Sequence, residues 1–434
     1  MNVATGDDRR IRQLIESAAQ AEAAGRPQDA ERLVRQAQAE SPRHPLVLNE
    51  AARRMLFGGN PVGAHELLEE AVKRDSTHPS LWLNLAAALR SLNRVAEENA
   101  ALEKVLAIEP RHVRALLQKA SLQELQGEPR AAAATYRTAL QTLPPSAEVP
   151  PAMGPVLLHA REVVEANNRA LEAFLEQRMR HLRERYAGEP LERFDRCLAT
   201  LLQKRRVYRQ QPGFMFFPQL PAIEFHERGD FPWLDSIEAA TDEIRAELLS
   251  VLDDGPSTLE PYVARPQGVP LDQWAELNHS RRWGAYFLWR EGVALPEHLA
   301  RCPRTVAALE PWPRWDVPGC GPTAVFSILD AKTHIPAHNG MNNTRLLVHL
   351  PLVVPPSCRF RVGAEFCEWH PGKAFIFDDT IEHEGWNDSD VPRAVLILDV
   401  WSPLLSMAER ALVRAAVDGV GEYYGTPLLA GEVK

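Results

Sequence analysis

Cysteine is scarce in this 434-residue sequence: there are five, an odd number, and none stands in a CxxC spacing. That excludes a disulfide framework or a zinc knuckle as the organising device. Reduced thiols are expected, even for Cys358 and Cys367, which could face each other across a short hairpin. Excess positive charge is missing as well. A formal net charge of −9 and a pI near 5.9 argue against nucleic acid as a main partner, because phosphate binding requires a basic footprint. They also disfavour docking on anionic lipid. No run approaches the roughly 18 consecutive apolar residues that a membrane helix needs, so no membrane span is expected. Met1 to Arg12 is polar and charged, unlike a secretory signal, which points to a cytoplasmic protein. With 45% hydrophobic and 25% charged residues, the chain is ordinary folded material, long enough for two or three domains.

What is present at the front is a repeat. Blocks beginning at Ile11, Pro45, Pro79 and Val113 are spaced 34 residues apart, the period of tetratricopeptide repeats. The eighth position is always small: Ala18, Ala52, Ala86 and Ala120. The fifteenth is a turn residue (Gly25, Gly59, Asn93, Gly127), and the twentieth reads Ala30, Ala64, Glu98 and Ala132. Val34, Leu68, Leu102 and Tyr136 follow, then Ala37, Ala71, Val105 and Ala139; Pro42, Pro110 and Pro144 close three of the blocks. Small residues let paired helices approach closely, Gly or Asn ends the first helix in a left-handed cap, and proline stops the second. Residues 1–145 are therefore expected to form an all-α solenoid of about four repeats, whose concave face holds a peptide or partner protein. Glu98, where alanine is expected, makes the third repeat degenerate.

Leu143 to Pro155 carries five prolines and a glycine and marks a boundary. From Val156 to about Tyr208 helix is expected again, with an apolar stripe of Val156, Leu157, Val163, Val164, Leu171 and Phe174; residues 146–212 read as a helical linker. The basic cluster from Arg178 to Arg185 reads as a solvated face. Beyond Gly213 the composition shifts to aromatic and β-branched residues. Trp233 to Leu252 is expected as one helix, with Asp235 and Ser236 as candidate caps. Short alternating runs follow at 323–329, 345–352, 359–362, 373–377, 382–386 and 394–401, with turn chemistry between them. That pattern predicts an antiparallel barrel or jelly roll over 213–434. The fold class is α+β multidomain.

The run Arg345 to Leu352 shows where chemistry sits. Leu346, Val348, Leu350 and Leu352 face a core, whereas Arg345, Leu347 and His349 face the other way. Cationic and ionisable groups on one inner face are expensive unless they meet an anion or a metal. His338 lies just before this strand and His383 after it, in Asp378-Asp-Thr-Ile-Glu-His383. If the chain turns near Ser389, His383 pairs opposite Val395 and Arg393 lies diagonally beside it. An imidazole suited to iron and a guanidinium suited to a carboxylate then share one pocket. Asp378 and Asp379 read as turn or hydrogen-bonding residues.

Residues 323 to 403, with FSILDAKTHIPAHNG, TRLLVHLPL, GKAFIFDDTIEHEGWN and PRAVLILDVWSP, resemble the catalytic core of the aspartyl/asparaginyl β-hydroxylase family. The upstream run FMFFPQLPAIEF…FPWLDSIEAATDEIRAELL is similar to that family's entry segment. The resemblance implies a double-stranded β-helix, an Fe(II) ion, 2-oxoglutarate as cosubstrate, and O2. It assigns His338 and His383 to the metal, Arg393 and Ser327 to the distal carboxylate of 2-oxoglutarate, and His349 and Trp283 to the neighbourhood of the cosubstrate. Trp283 could equally be core. Arg345 fits one of two substrate arginines, with an internal ion pair as its alternative. Gly340 stands where most such enzymes carry an aspartate ligand, a gap this family shares, with water in that place. Leu347 replaces the second substrate arginine of animal members and points away from acidic side chains.

The function implied is hydroxylation of an unactivated C–H bond on a peptide or protein side chain, Asp/Asn-type, recruited by the repeats. Two alternatives stand beside it. One is a hydroxylase of a small molecule, free amino acid or lipid acyl chain; the other is a catalytically silent repeat scaffold with a metal-binding barrel.

Overall fold

The computed structural model describes residues 6–143 and 150–425. They form two compact units, one reaching Leu191 and the other starting at Glu192, so the segment expected as a separate linker over 146–212 is divided between them. Pro144 and the centre of the proline-rich boundary lie outside the described residues.

The first unit begins with four helix hairpins: α1 (Gly6–Ala23) with α2 (Pro27–Glu40), α3 (Pro45–Phe57) with α4 (Pro61–Arg74), α5 (Pro79–Ser91) with α6 (Val95–Ile108), and α7 (Val113–Leu125) with α8 (Pro129–Thr142). From α3 and α2 onward, corresponding helices start 34 residues apart. The turns carry the expected left-handed residues at Gly25, Gly59, Asn93 and Gly127. Ala52, Ala64, Ala86, Ala120 and Ala132 have no exposed surface, which fits the need for close helix approach. Glu98 takes the corresponding place in the third hairpin and is equally buried. Its carboxylate accepts a 2.9 Å bond from Nε of Arg90, whose other arm donates to the Gln118 carbonyl.

The helix expected from Val156 to Tyr208 is instead α9 (Gly154–Arg185) and α10 (Glu192–Leu201), separated at Gly188 and Pro190, which cannot sustain a helix interior. Leu157, Ala160 and Val164 pack with Tyr136 and Ala139 of α8. The stripe then stops being core: Val156, Leu171 and Phe174 are exposed. Length explains this, because α9 has 32 residues against 14 in α8 and outruns its neighbour.

The second unit is built on two antiparallel sheets. Its strands are β1 (Glu260–Pro261), β2 (Trp283–Arg290), β3 (Val293–Ala294), β4 (Ala324–Leu329), β5 (Thr333–His338), β6 (Arg345–Val353), β7 (Cys358–Val362), β8 (Glu365–Cys367), β9 (Phe375–Phe377), β10 (His383–Asn387) and β11 (Arg393–Trp401). The larger sheet runs β1-β2-β4-β11-β6-β9 with β3 beside β2; the smaller runs β5-β10-β7-β8. The outer face of the larger sheet (Phe326, Leu346, Val348, Leu350, Leu396, Leu398) packs under α11 (Leu234–Ala239) and α12 (Thr241–Asp253) through Leu234, Ile237, Ile244 and Leu248. The short helices α13 (Pro296–Arg301) and α14 (Pro303–Ala308) follow β3, and α15 (Met407–Tyr424) follows β11.

Two expectations are corrected here, and one strand was not foreseen. Trp233 to Leu252 is not one helix. It breaks at Ala240, so neither Asp235 nor Ser236 caps it, and the break lets the Glu238 carboxylate accept the Ala374 amide at 2.8 Å. The strand Trp283–Arg290 is buried almost throughout, so it lacks the alternation that marks a half-exposed strand. Finally, β10 and β11 are not a hairpin. His383 pairs with His338 and Val362, whereas Val395 pairs with Ser327 and Pro351, because the chain crosses from one sheet to the other between Asn387 and Arg393.

Among the described residues no helix is long and apolar enough to cross a membrane. Cys358 and Cys367 form no disulfide; their thiols donate to the Asn387 side chain and the Glu368 carbonyl.

Candidate functional site

A cavity lies between the inner faces of the two sheets. His338 ends β5 and His383 begins β10, and they are direct cross-strand partners, so both imidazoles emerge side by side with ring centroids 4.0 Å apart. Each Nδ1 sits beside the carbonyl two residues upstream, Pro336 at 2.8 Å and Ile381 at 3.0 Å. A carbonyl can only accept, so Nδ1 carries the proton on both rings and each Nε2 keeps its lone pair. Burial pushes the pKa of His338 down to about 3, helped by the adjacent His383, and that of His383 down to about 4. Two neutral imidazoles with matched free nitrogens can hold a metal ion. No group of three or more His, Cys, Asp or Glu suited to a metal occurs among the described residues.

The larger sheet supplies the opposite wall. Ser327, Arg345, Leu347, His349, Arg393, Ile397 and Asp399 point inward from β4, β6 and β11, as the alternation of β6 predicts. Arg393 is 2% exposed, makes no ion pair among the described residues, and leaves Nε without a hydrogen-bond partner. Its guanidinium lies 5.1 Å from the centre of the Trp369 ring, and desolvation lowers its pKa to about 10. A buried cation without a counter-charge is costly, so this site calls for an anion. His349 lies among Phe360, Trp369, Phe375 and Phe377. Burial, with Arg393 next, holds it well below the usual histidine range.

The third wall is aromatic. Trp283 donates from Nε1 to the Ser327 hydroxyl at 3.0 Å, which orients that oxygen within the cavity. Tyr262 stacks on Trp283 at 4.1 Å with the planes nearly parallel; Trp274 lies beyond it and meets His338 edge-on at 4.9 Å. Burial raises the Tyr262 pKa to about 12, so its phenol remains a donor. Tyr262 and Trp274 were not legible in the sequence, since both come from irregular segments without periodicity.

Arg345 is also in the cavity wall, but its guanidinium is engaged. Nη2 bonds the Asp379 carboxylate at 2.7 Å, and Nη1 lies 3.8 Å from Asp399. That is the internal ion pair, and it was hidden from the sequence because the partners lie on other segments. Asp379 occupies a telling place: a Cβ built on Gly340 would fall 2.2 Å from its Oδ2. The carboxylate thus fills the space into which a side chain at position 340 would project. Asp378 turns away from the cavity, bonding the Thr380 amide and hydroxyl and the Gln210 side chain.

Residues 238–403 match the family described as aspartyl/asparaginyl beta-hydroxylase. The ornithine lipid ester-linked acyl 2-hydroxylase of Rhizobium tropici is 37% identical over 186 residues, covering 42% of this chain and 62% of that protein. The aspartyl/asparaginyl beta-hydroxylase of Homo sapiens is 33% identical over 186 residues, covering 42% of this chain and 23% of that one. This chain thus spans less than two thirds of either relative. A thermophilic TPR protein of Thermus thermophilus is similar in structure at a TM-score of 0.30 and 24% identity, over 41% of this chain and 97% of that chain. Over residues 238–403 the second unit is thus similar to the aspartyl/asparaginyl β-hydroxylase family.

Proposed function

We propose that the second unit is an iron(II)- and 2-oxoglutarate-dependent dioxygenase that replaces hydrogen by hydroxyl at an unactivated C–H bond, on a substrate recruited by the helical repeats. The two sheets are read as the halves of a double-stranded β-helix. The observation that carries the proposal is the pairing, in one cavity, of two neutral imidazoles with an uncompensated buried guanidinium. A metal needs the first and a carboxylate needs the second. Both family relatives are named for hydroxylation, one on an acyl chain and one on aspartyl or asparaginyl residues, which supports the reaction type.

The residues divide the work as follows. His338 and His383 would hold iron(II) through Nε2, their orientation fixed by the Nδ1 bonds to Pro336 and Ile381. Arg393 would neutralise the distal carboxylate of 2-oxoglutarate, with the Ser327 hydroxyl, held by Trp283, as a second contact. His349 and the phenyl rings around it exclude water from that end. Asp379, beside Gly340, presents an acceptor on the side where no protein ligand projects. The iron, when bound, supplies the oxidising chemistry; O2 and 2-oxoglutarate are consumed, and succinate, carbon dioxide and the hydroxylated substrate result. The substrate is read as a peptide or protein side chain, with the repeat unit as its docking arm.

The test uses the full chain with iron(II), ascorbate and 2-oxoglutarate. Succinate formation, together with iron bound at one equivalent by metal analysis, is expected. Iron bound without any succinate formed would sink the proposal and leave the scaffold reading; a chain that binds neither iron nor 2-oxoglutarate would sink both.

A further inference from the structure

The charges of the cavity say what kind of substrate group it accepts. Two guanidiniums line it, and only one is available. Arg393 is the uncompensated one, and the proposed cosubstrate, itself a dicarboxylate, takes it. Arg345 faces two carboxylates, Asp379 at 2.7 Å and Asp399 at 3.8 Å, so its surroundings carry more negative than positive charge. Asp399 is further tied by the Thr323 amide at 2.9 Å, which fixes it in place beside the guanidinium. Besides these, the polar groups of the wall include the Thr323 and Ser327 hydroxyls and the Asn339 amide, which carry no charge.

A second anion entering the cavity would therefore meet no spare cationic side chain and two fixed carboxylates, in a setting where desolvating a charge is expensive. The remaining wall is hydrocarbon: Ile335, Met341, Leu347, Phe360, Phe377 and Ile397. Leu347 is central to this surface, packing with Phe360 and Phe377 on one side and Val395 and Ile397 on the other.

We infer that the group brought to the reacting centre is an uncharged aliphatic segment, not a carboxylate, and that Leu347 together with the Asp379–Arg345–Asp399 cluster sets this choice. The inference rests on the hydroxylase reading of the same cavity. Either an aliphatic amino-acid side chain or a longer alkyl chain meets the chemistry.

The test measures binding to the full chain loaded with zinc in place of iron and saturated with 2-oxoglutarate, by ligand-observed NMR. Three neutral-ended probes are compared: N-acetyl-leucine amide, octanamide and N-acetyl-aspartate amide. At least one aliphatic probe should bind on the order of tenfold more tightly than the aspartate probe, a difference of about 1.4 kcal/mol. A preference for octanamide over the leucine probe identifies an alkyl chain, and the reverse identifies a side chain. Leu347→Arg should reverse the order in favour of aspartate without changing 2-oxoglutarate binding. Equal or tighter binding of the aspartate probe to the unaltered chain overturns the inference, as does failure of both aliphatic probes to bind. Loss of 2-oxoglutarate binding itself would instead overturn the hydroxylase reading beneath it.

Discussion

His383 and Arg393 are ten residues apart in sequence, stand on different sheets, and face the same cavity from opposite sides. A hairpin would have put them side by side. The crossing of the chain between the sheets places the cavity between them instead, with room for a bridging molecule.

Removing either imidazole should remove the metal. His338→Ala and His383→Ala are each expected to lower iron content below about one tenth of an equivalent, since one remaining protein ligand cannot hold the ion. Metal analysis of folded protein decides; full iron content in either variant would refute the assignment.

Arg393 carries two opposed effects, which makes its replacement informative. Arg393→Met removes a buried cation without a partner, so the ligand-free second unit should become more stable, by about 2–4 °C in Tm for each kcal/mol gained. The same change should weaken 2-oxoglutarate binding at least on the order of tenfold, because a charge-assisted bond of about 1.5–3 kcal/mol is lost. Calorimetry with and without 2-oxoglutarate measures both. A variant that is destabilised yet binds normally would mean the guanidinium is structural.

Trp283→Phe keeps the stack on Tyr262 but releases the Ser327 hydroxyl. The expected outcome is a KM for 2-oxoglutarate raised by roughly three- to tenfold, matching one neutral hydrogen bond, with iron content unchanged. An unchanged KM would reduce Trp283 to core packing.

Acid should destabilise the second unit before its carboxylates titrate. Burial lowers His226, His338 and His383 to between about 3 and 4, and His349 well below its usual value. Unfolded, these rings take up protons near pH 6.5, whereas folded they do not, so the unfolded state binds more protons between pH 6.5 and about 4. Stability therefore rises with pH through that window and is lost as pH falls. Urea midpoints at pH 7 and pH 5 test this; His226→Gln, which does not line the cavity, should flatten the slope by about one proton. A midpoint that does not change would contradict it.

In the repeats, Arg90→Ala leaves the Glu98 carboxylate buried without its partner and should cost about 3 kcal/mol. Glu98→Ala restores the small residue found in the other hairpins and should stay within about 1 kcal/mol of the parent. Urea unfolding followed by circular dichroism distinguishes them. Equal losses would mean that the pair stabilises the third hairpin in its own right.

The sequence made some of this legible and hid the rest for physical reasons. The 34-residue spacing and the left-handed caps could be read because each repeat meets the same steric demand at Gly25, Gly59, Asn93 and Gly127. The inner row of Arg345, Leu347 and His349 could be read because one face of β6 is core and the other is not. Alternation assigns faces, however, and says nothing of partners, which is why β10 was expected beside β11 when it lies between β5 and β7. The strand β2 was overlooked because it is apolar on both faces. The engagement of Arg345 by Asp379 spans distant segments and left no spacing to detect.

The tight fit of Gly340 against Asp379 constrains how this lineage can change. An aspartate introduced at position 340 would drive its first carbon into a carboxylate that Arg345 clamps, with the Gly340 amide also bonded to the Asp379 carbonyl at 2.6 Å. If the proposed metal site holds, a third, carboxylate ligand at position 340 would require Asp379 to be replaced at the same time, so the two positions would be bound together by epistasis between neighbours.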